Sequence, residues 1–199
     1  MQHIESSNRI RNLAISLAIF AALTFYASTY AVPVLRVSLL PEESPSFMRR
    51  KSKPLIDYLE QKIGMKIEFR PMRDGDALVE ALLNRDLDMV WIDGFYFARA
   101  KARSNDRIIP LVQRAADEGA RSTFIATPGY HDYSWTVRAD MDADLRQKLT
   151  DAFLALDGNN GQDKEILDLQ RASRFIPARA ENYPAIEAAE SSAGSLKEK

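Results

Sequence analysis

The chain has 199 residues, no cysteine, and 27 basic against 28 acidic side chains. The near-zero net charge excludes a nucleic-acid binder that depends on a large basic surface, and the lack of cysteine excludes a disulfide-stapled scaffold. The length suits one compact domain preceded by a short leader.

Residues 1–31 have the pattern of a secretory signal peptide. Arg9 and Arg11 form a basic start, Leu13–Tyr26 is almost entirely apolar, and Thr29 and Ala31 are small residues at the positions that signal peptidase prefers. An uncleaved membrane anchor is the alternative, because about 20 apolar residues can span a bilayer. We expect a cleaved leader and a soluble periplasmic protein.

Four short apolar runs predict strands in the first half of the remaining chain. These runs are Leu35–Leu40, Lys66–Arg70, Asp88–Ile92 and Arg107–Arg114. Pro110 lacks a backbone N–H and therefore predicts that the fourth strand lies at an edge or contains a bulge.

Helical spacing of apolar residues separates these strands. The predicted helices are Phe47–Ile63, a second helix that begins near the cap Asp74, and a third that runs from Asp93 to near Asn105. Pro54 is expected to kink or divide the first of them. The alternation predicts an α/β fold with a mostly parallel sheet flanked by helices, because parallel neighbours need crossover connections.

The second half begins with two strand-like runs, Ser122–Thr127 and Asp132–Arg138, which only four residues separate. Helical patterns follow at Met141–Leu156, Lys164–Gln170 and Tyr183–Ala193, before a polar tail at residues 195–199 that is expected to fray.

Catalytic signatures are absent from the sequence: there is no GxSxG elbow, Walker A loop, GxGxxG or HExxH. His131 is the one histidine outside the leader, and with Asp132 it is interpreted as a turn pair. We therefore predict no enzymatic activity, no metal site and no cofactor.

Ligands of parallel α/β proteins bind beyond the carboxyl ends of the strands, where helix N-termini present N–H groups. Neutral N–H and O–H donors there suit a small oxyanion. The candidates in such positions are Ser44 and Ser46 after the first strand, Trp91, Gly94 and Tyr96 around the end of the third, and Ser122 and Thr123 where the chain leaves the sheet.

Each candidate has a purely structural alternative. Ser44 and Ser46 are also ordinary residues for a helix N-cap. The aromatic side chains of Trp91, Phe95 and Phe97 are also typical of a core, whereas Tyr96 has a hydroxyl that needs a partner. Arg114 is either a solvated strand end or a residue that faces an anion.

Several of these stretches resemble a known family. "LRVSLLPEESPSFMRRKSKPLIDYLEQKIGMKIEFRP", "ALVEALLNRDLDMVWIDGFYFARAKA" and "IIPLVQR" are similar to the first lobe of the phosphate/phosphonate-type (PhnD-like) periplasmic substrate-binding proteins of ABC transporters, which include members described as selenate or phosphonate binders. "TPGYHDYSWTVRADMDADLRQKLTDAFLALD" and "ILDLQRASRFIPA" resemble the C-terminal portion of that family. The resemblance implies a type II periplasmic-binding fold, a small oxyanion ligand (phosphonate, phosphate or selenate-like) and an inner-membrane ABC permease as the partner.

By this resemblance the ligand loop of the family falls on Pro41–Ser46, its aromatic-glycine turn falls on Trp91–Tyr96, and Tyr133 is a hinge aromatic. Asp93 stands where this branch usually has a small residue. A carboxylate at a helix N-terminus satisfies the helix dipole and repels an anion, so Asp93 is expected to weaken binding.

The resemblance also implies that most of a lobe is missing. In the family the two strand-like runs are hinges with a second lobe between them, whereas here four residues join them. The expected division is a signal peptide at 1–31, a first lobe at 32–121, hinge strands at 122–138, a C-terminal helical portion at 139–194 and the tail. We expect impaired ligand binding; a sensory or interaction module that acts on a membrane signalling partner without transport is the alternative function.

Overall fold

A computed structural model describes residues 33–115, 133–180 and 183 of the chain. The predicted signal peptide, the first hinge strand, His131, the polar tail and all of the last predicted helix except Tyr183 lie outside the described residues.

Six strands and five helices make up the described part. The strands are β1 (Val34–Leu39), β2 (Lys66–Phe69), β3 (Met89–Ile92), β4 (Ile108–Arg114), β5 (Ser134–Arg138) and β6 (Phe175–Pro177). The helices are α1 (Pro45–Ile63), α2 (Gly75–Leu83), α3 (Gly94–Ser104), α4 (Ala143–Leu154) and α5 (Gly161–Leu169). The predicted elements within these ranges are confirmed to within a few residues, but β6 is not predicted and α5 begins three residues before its predicted start.

The strands form one sheet in the order β2-β1-β3-β5-β4-β6. β2, β1 and β3 pair in parallel, whereas β5 is antiparallel to both β3 and β4, and β6 is antiparallel to β4. The α/β class is confirmed, and β1 to β4 all run in one direction. The sheet is nevertheless mixed rather than mostly parallel in its pairing, because β5 inserts between β3 and β4.

Right-handed crossovers explain how the helices are distributed over the two faces. The step from β1 to β2 and the step from β2 to β3 run in opposite directions along the sheet, so α1 and α2 cover opposite faces. One buried cluster joins α1, α4 and α5 to the sheet, and a second cluster joins α2 and α3 to the other face. Both faces are therefore covered, as a sheet of this kind requires.

The helix α1 runs through Pro54 as one element, so of the two predicted effects of this proline the division does not occur. Its buried residues, among them Leu55, Leu59 and Ile63, hold one face on the core, and Gly64 ends it in the left-handed conformation. Packing of a long apolar face outweighs the loss of one backbone hydrogen bond at proline. In the described part of the chain, no helix is long and apolar enough to cross a membrane.

Pro110 lies in β4, which pairs with β5 along its length and with β6 only from Val112 to Arg114. The prediction of an edge or a bulge is confirmed by a bulge: the register with β5 shifts between Pro110 and Val112. A bulge leaves one residue of the strand unpaired, so a proline without a backbone N–H is tolerated there.

Candidate functional site

The predicted donors gather at one edge of the sheet. β1, β3 and β4 end at this edge, and β5 begins there because it runs in the opposite direction. The loop after β1 is joined to the end of β3 by a hydrogen bond of 2.9 Å from the Leu40 N–H to the Trp91 carbonyl. We call this side of the lobe the carboxyl edge.

The loop after β1 brings Ser44 and Ser46 to the exposed surface of this edge. The Ser44 hydroxyl accepts a hydrogen bond of 3.4 Å from the Phe47 N–H and is the N-cap of α1. The two hydroxyl oxygens lie 3.3 Å apart. Ser44 therefore has the capping role, and both hydroxyls are also placed where a ligand could contact them.

The turn after β3 is capped by its own carboxylate. Asp93 accepts a hydrogen bond of 2.9 Å from the Tyr96 N–H, and Gly94 begins α3. Because the negative charge of Asp93 already lies at the helix N-terminus, this turn is less suited to an anion than a turn with a small residue would be.

Tyr96 faces α2 rather than open solvent. Its ring lies so close to Gly75, the first residue of α2, that a Cβ atom on this glycine would overlap it. Burial raises the pKa of the Tyr96 phenol, and the carboxylates of Asp76 and Asp93 raise it further. Arg99, which pairs with Asp76 at 2.7 Å, lowers this pKa in part, and the hydroxyl keeps its proton.

Tyr133 lies at the centre of the carboxyl edge, just before β5. Its ring stacks on Trp91 with 5.6 Å between ring centroids, and the Arg114 guanidinium carbon lies 5.0 Å from its centroid. Its hydroxyl donates a hydrogen bond to the Glu42 carboxylate. Burial raises the pKa of the Tyr133 phenol, and the hydrogen bond to Glu42 raises it further, so the hydroxyl is a donor at all physiological pH values.

Beneath Tyr133 lies a cluster of aromatic side chains in the core. Trp91 contacts Trp135 and Phe175 at centroid distances of 5.4 and 6.0 Å, and Phe153 contacts both of these rings. Trp91 is only 7% exposed, which agrees with the core interpretation of this residue. It supports Tyr133 from below.

The other two aromatic residues of the turn behave differently from each other. Phe97 is fully buried between α3 and the sheet, as the core interpretation predicts. Phe95 is 38% exposed, so the core interpretation is wrong for it.

Basic side chains from distant elements lie beside the same edge. Lys51 on α1 is half-buried, and its charged neighbours are Arg171 after α5, Arg114 at the end of β4, and the loop carboxylates Glu42 and Glu43. Burial lowers the pKa of the Lys51 ammonium, and the positive charge of Arg171 lowers it further.

Sequence reasoning did not select Glu42, Lys51 or Arg171. The position of Lys51 could have been predicted, because it lies seven residues after Ser44 and hence on the same face of the helix two turns later. The position of Arg171 could not have been predicted in this way, because only the tertiary fold brings the end of α5 to this edge.

The predicted residues Ser44, Ser46, Gly94, Tyr133 and Arg114 thus lie at the same end of the sheet, and Arg114 contacts Tyr133, while Tyr96 lies against Gly75 of α2. Ser122 and Thr123 lie outside the described residues. No group of three or more His, Asp or Glu side chains suited to a metal ion occurs in the described ranges. The edge offers hydroxyl, amide and cationic donors, which can bind an anion without chemical change.

A family model described as the periplasmic substrate-binding protein of phosphonate ABC transporters matches residues 37–128 and 122–183. That description is of a solute-binding protein and not of an enzyme. The chain is 29% identical over 108 residues to the phosphate-import protein PhnD of Mycolicibacterium smegmatis and 35% identical over 92 residues to the probable phosphite-binding protein PhnD1 of Prochlorococcus marinus. These matches cover 54% and 46% of this chain but only 31% of each relative, so the chain matches about a third of their length.

A solved structure of PhnD1 from Prochlorococcus marinus in complex with methylphosphonate has the same fold. It superposes with a TM-score of 0.69 at 16% identity, covering 81% of this chain and 98% of that one. At this identity the likeness shows the fold alone. The family model, in contrast, matches most of the sequence, and the chain belongs to the family of periplasmic phosphonate substrate-binding proteins of ABC transporters.

Proposed function

We propose that this chain is a periplasmic solute-binding component of an ABC importer, and that it binds a small oxyanion such as a phosphonate, phosphate or selenate weakly on a single lobe. Its partner is then the membrane permease of that importer. Recognition proceeds without chemistry: hydroxyl and amide donors at the carboxyl edge hold the ligand, and the exposed rim of the lobe contacts the permease.

One observation supports the weak binding most directly. Residues 115–133 are the whole connection between β4 and β5, whereas a domain takes at least about 50 residues. A tight small-molecule site buries about 70–90% of the ligand surface, and a second lobe is the usual means of enclosing it. The carboxyl edge of one lobe leaves much of a bound anion in water, where each hydrogen bond to it is weaker.

The carboxylates at the edge support the same conclusion. Glu42 and Asp93 lie among the donors, and both are hydrogen-bonded to groups that would otherwise face a ligand. Like charge so close to a bound anion lowers its affinity.

Isothermal titration calorimetry with methylphosphonate, phosphate, phosphite, selenate and sulfate tests this proposal. We expect a preference for phosphonate or phosphate over sulfate, with dissociation constants well above about 1 µM. A submicromolar constant for any of these anions would show that the single lobe encloses its ligand. Equal and negligible heats for all five would contradict oxyanion binding altogether.

A second function is favoured by exposed aromatic surface at the same edge. Phe47 is 42% exposed and Phe95 is 38% exposed, each in the first turn of a helix that begins there. Phenylalanine rings contribute much of the binding energy when a partner buries them, so these two rings are available for a protein contact. A sensory module that contacts a membrane signalling protein would use such a surface. Permease and ATPase genes next to this gene support import, whereas a neighbouring kinase or cyclase gene supports signalling.

A further inference from the structure

The carboxyl edge contains a carboxylate at the point where its donors converge. The Tyr133 hydroxyl, which is protonated and held in place by Trp91 and Arg114, donates its hydrogen bond to Glu42. A protonated phenol and a guanidinium are each able to donate hydrogen bonds to an oxyanion. In this chain the acceptor of the Tyr133 hydrogen bond is the Glu42 carboxylate, a group of the protein itself and not of a ligand.

The same carboxylate faces the basic residues of the edge. Lys51 is half-buried on α1, and Glu42 is the first of its acidic neighbours, while Arg171 and Arg114 are its basic ones. Glu42 therefore neutralises part of the positive charge that would attract an anion. Glu42 lies in an exposed loop, so its carboxylate can move away from Tyr133 without disturbing the core.

We propose that Glu42 is an internal competitor for the ligand: an oxyanion binds at Tyr133 and the basic group Lys51, Arg114 and Arg171 only by displacing the Glu42 carboxylate. The residue thereby sets the affinity of the edge for anions. The inference rests on the proposed function, since it concerns the same edge of the lobe.

We expect displacement of the Glu42 carboxylate to cost little free energy. Interactions of exposed charges are weak in water, and those at a protein surface are stronger by a small factor. Removal of the competing charge should therefore tighten anion binding about five- to tenfold. The change Glu42→Gln removes the charge and retains an oxygen that accepts from Tyr133.

The neighbouring residue provides a matched control. Glu43 has the same charge on the same loop and is also a neighbour of Lys51, with a smaller effect on it than Glu42. It lines a cavity of about 150 Å³ with Leu39, Met48 and Phe69. Glu43→Gln changes the net charge of the protein equally while the Glu42–Tyr133 contact stays in place.

The experiment compares the full protein with its Glu42→Gln, Glu42→Ser and Glu43→Gln variants by calorimetric titration with methylphosphonate and with sulfate. We expect both Glu42 variants to bind methylphosphonate about five- to tenfold more tightly than wild type, and Glu43→Gln to differ from wild type by less than about twofold. Circular dichroism confirms that each variant is folded.

The outcomes separate this inference from the proposed function. Wild-type affinity in both Glu42 variants, or an equal gain in Glu43→Gln, overturns the role of Glu42 but leaves a phosphonate preference intact. A gain at Glu42 in a protein whose wild type binds sulfate and methylphosphonate equally well supports the competitor and contradicts a phosphonate preference. Absence of binding in wild type and in every variant overturns both.

Discussion

Arg36, Asp88 and Arg138 form an ion-pair network at the end of the sheet opposite the candidate site. Asp88 accepts two hydrogen bonds of 2.8 Å from the Arg36 guanidinium and a third from the Arg36 backbone N–H, and Arg138 adds one of 3.3 Å. These residues belong to, or directly precede, β1, β3 and β5. The network therefore ties β5 to the parallel strands β1 and β3.

The pKa of Asp88 is lowered in the folded protein. Burial alone would raise it, but the hydrogen bonds and positive charge of Arg36, together with the hydrogen bond from Arg138, outweigh burial. A carboxyl group whose pKa is lowered by folding stabilises the fold above its unfolded pKa of about 3.9, and this stabilisation disappears as the pH falls through the lower folded-state value.

Asp88→Asn should lower the free energy of unfolding by about 2–3 kcal/mol at neutral pH, because it removes the carboxylate that pairs with the partly buried Arg36 and one of the two that pair with Arg138. Urea denaturation at a series of pH values measures this. The difference from wild type should be constant from pH 7 to about pH 5 and shrink below about pH 4.

Asp57→Asn is the control for this prediction, since it removes a carboxylate from an exposed pair with Lys53 on α1. It should leave the unfolding curve nearly unchanged. A loss as large as that for Asp88→Asn would mean that general charge balance, and not the network, stabilises the sheet.

At the scale of elements, the contact between Gly75 and Tyr96 determines how α2 and α3 approach each other. The ring of Tyr96 lies directly against the first residue of α2, at a distance that leaves no room for a side chain. Glycine is needed there for its small size.

Gly75→Ala should therefore destabilise the protein by about 1–3 kcal/mol, because the new methyl group displaces the Tyr96 ring. Thermal denaturation followed by circular dichroism measures the change. Gly161→Ala is the matched control: Gly161 also begins a helix, yet nothing lies within 4 Å of its Cβ position. That change should stabilise the protein slightly, by about 0.5 kcal/mol.

The cost of Gly75→Ala should vanish when Tyr96 is also changed to alanine, because the ring that the methyl group displaces is then absent. If Gly75→Ala remained destabilising in the Tyr96→Ala protein, the cause would lie in the backbone of α2 and not in the contact between the helices.

Local signals in the sequence predict the helices and strands well where short-range preferences agree with the tertiary packing. Ser44 and Asp74 have the predicted capping roles and Asp93 lies at a helix N-terminus as predicted, because each acts within one helical turn. The insertion of β5 between β3 and β4 is not visible in the alternation of elements. It depends on pairing partners that are far apart in the chain.

The candidate site likewise contains some residues that local signals predict and others that only long-range contacts place there. Ser44 and the Asp93–Tyr96 turn follow strands directly, so strand order alone places them at the carboxyl edge. The contact between Glu42 and Tyr133 joins residues 91 positions apart, and Lys51 and Arg171 come from different helices. Such neighbours follow from helix packing, for which the sequence has no local signal.

At the scale of the whole molecule, the lobe has a sheet covered on both faces and few residues joining β4 to β5. Gln113 and Ser134 are paired in the register of these strands, and the Arg114 N–H bonds to the Tyr133 carbonyl at 3.4 Å. Two antiparallel strands in such register need only a loop of about 3–5 residues. We therefore expect the fold to be specified by the described residues and not by residues 116–132.

Replacement of residues 116–132 with a five-residue Gly/Ser linker tests this expectation. Loop closure costs about 0.6 kcal/mol for each doubling of length, so the shortened chain should unfold cooperatively at a midpoint equal to that of wild type or about 2–4 °C higher. A large loss of stability would show that residues 116–132 pack on the lobe. The same variant lacks Ser122 and Thr123, so calorimetric titration with methylphosphonate tests whether these residues donate to the ligand. Unchanged affinity in a folded variant would assign recognition to the loop after β1, the turn after β3 and Tyr133, whereas lost affinity would support Ser122 and Thr123 as donors.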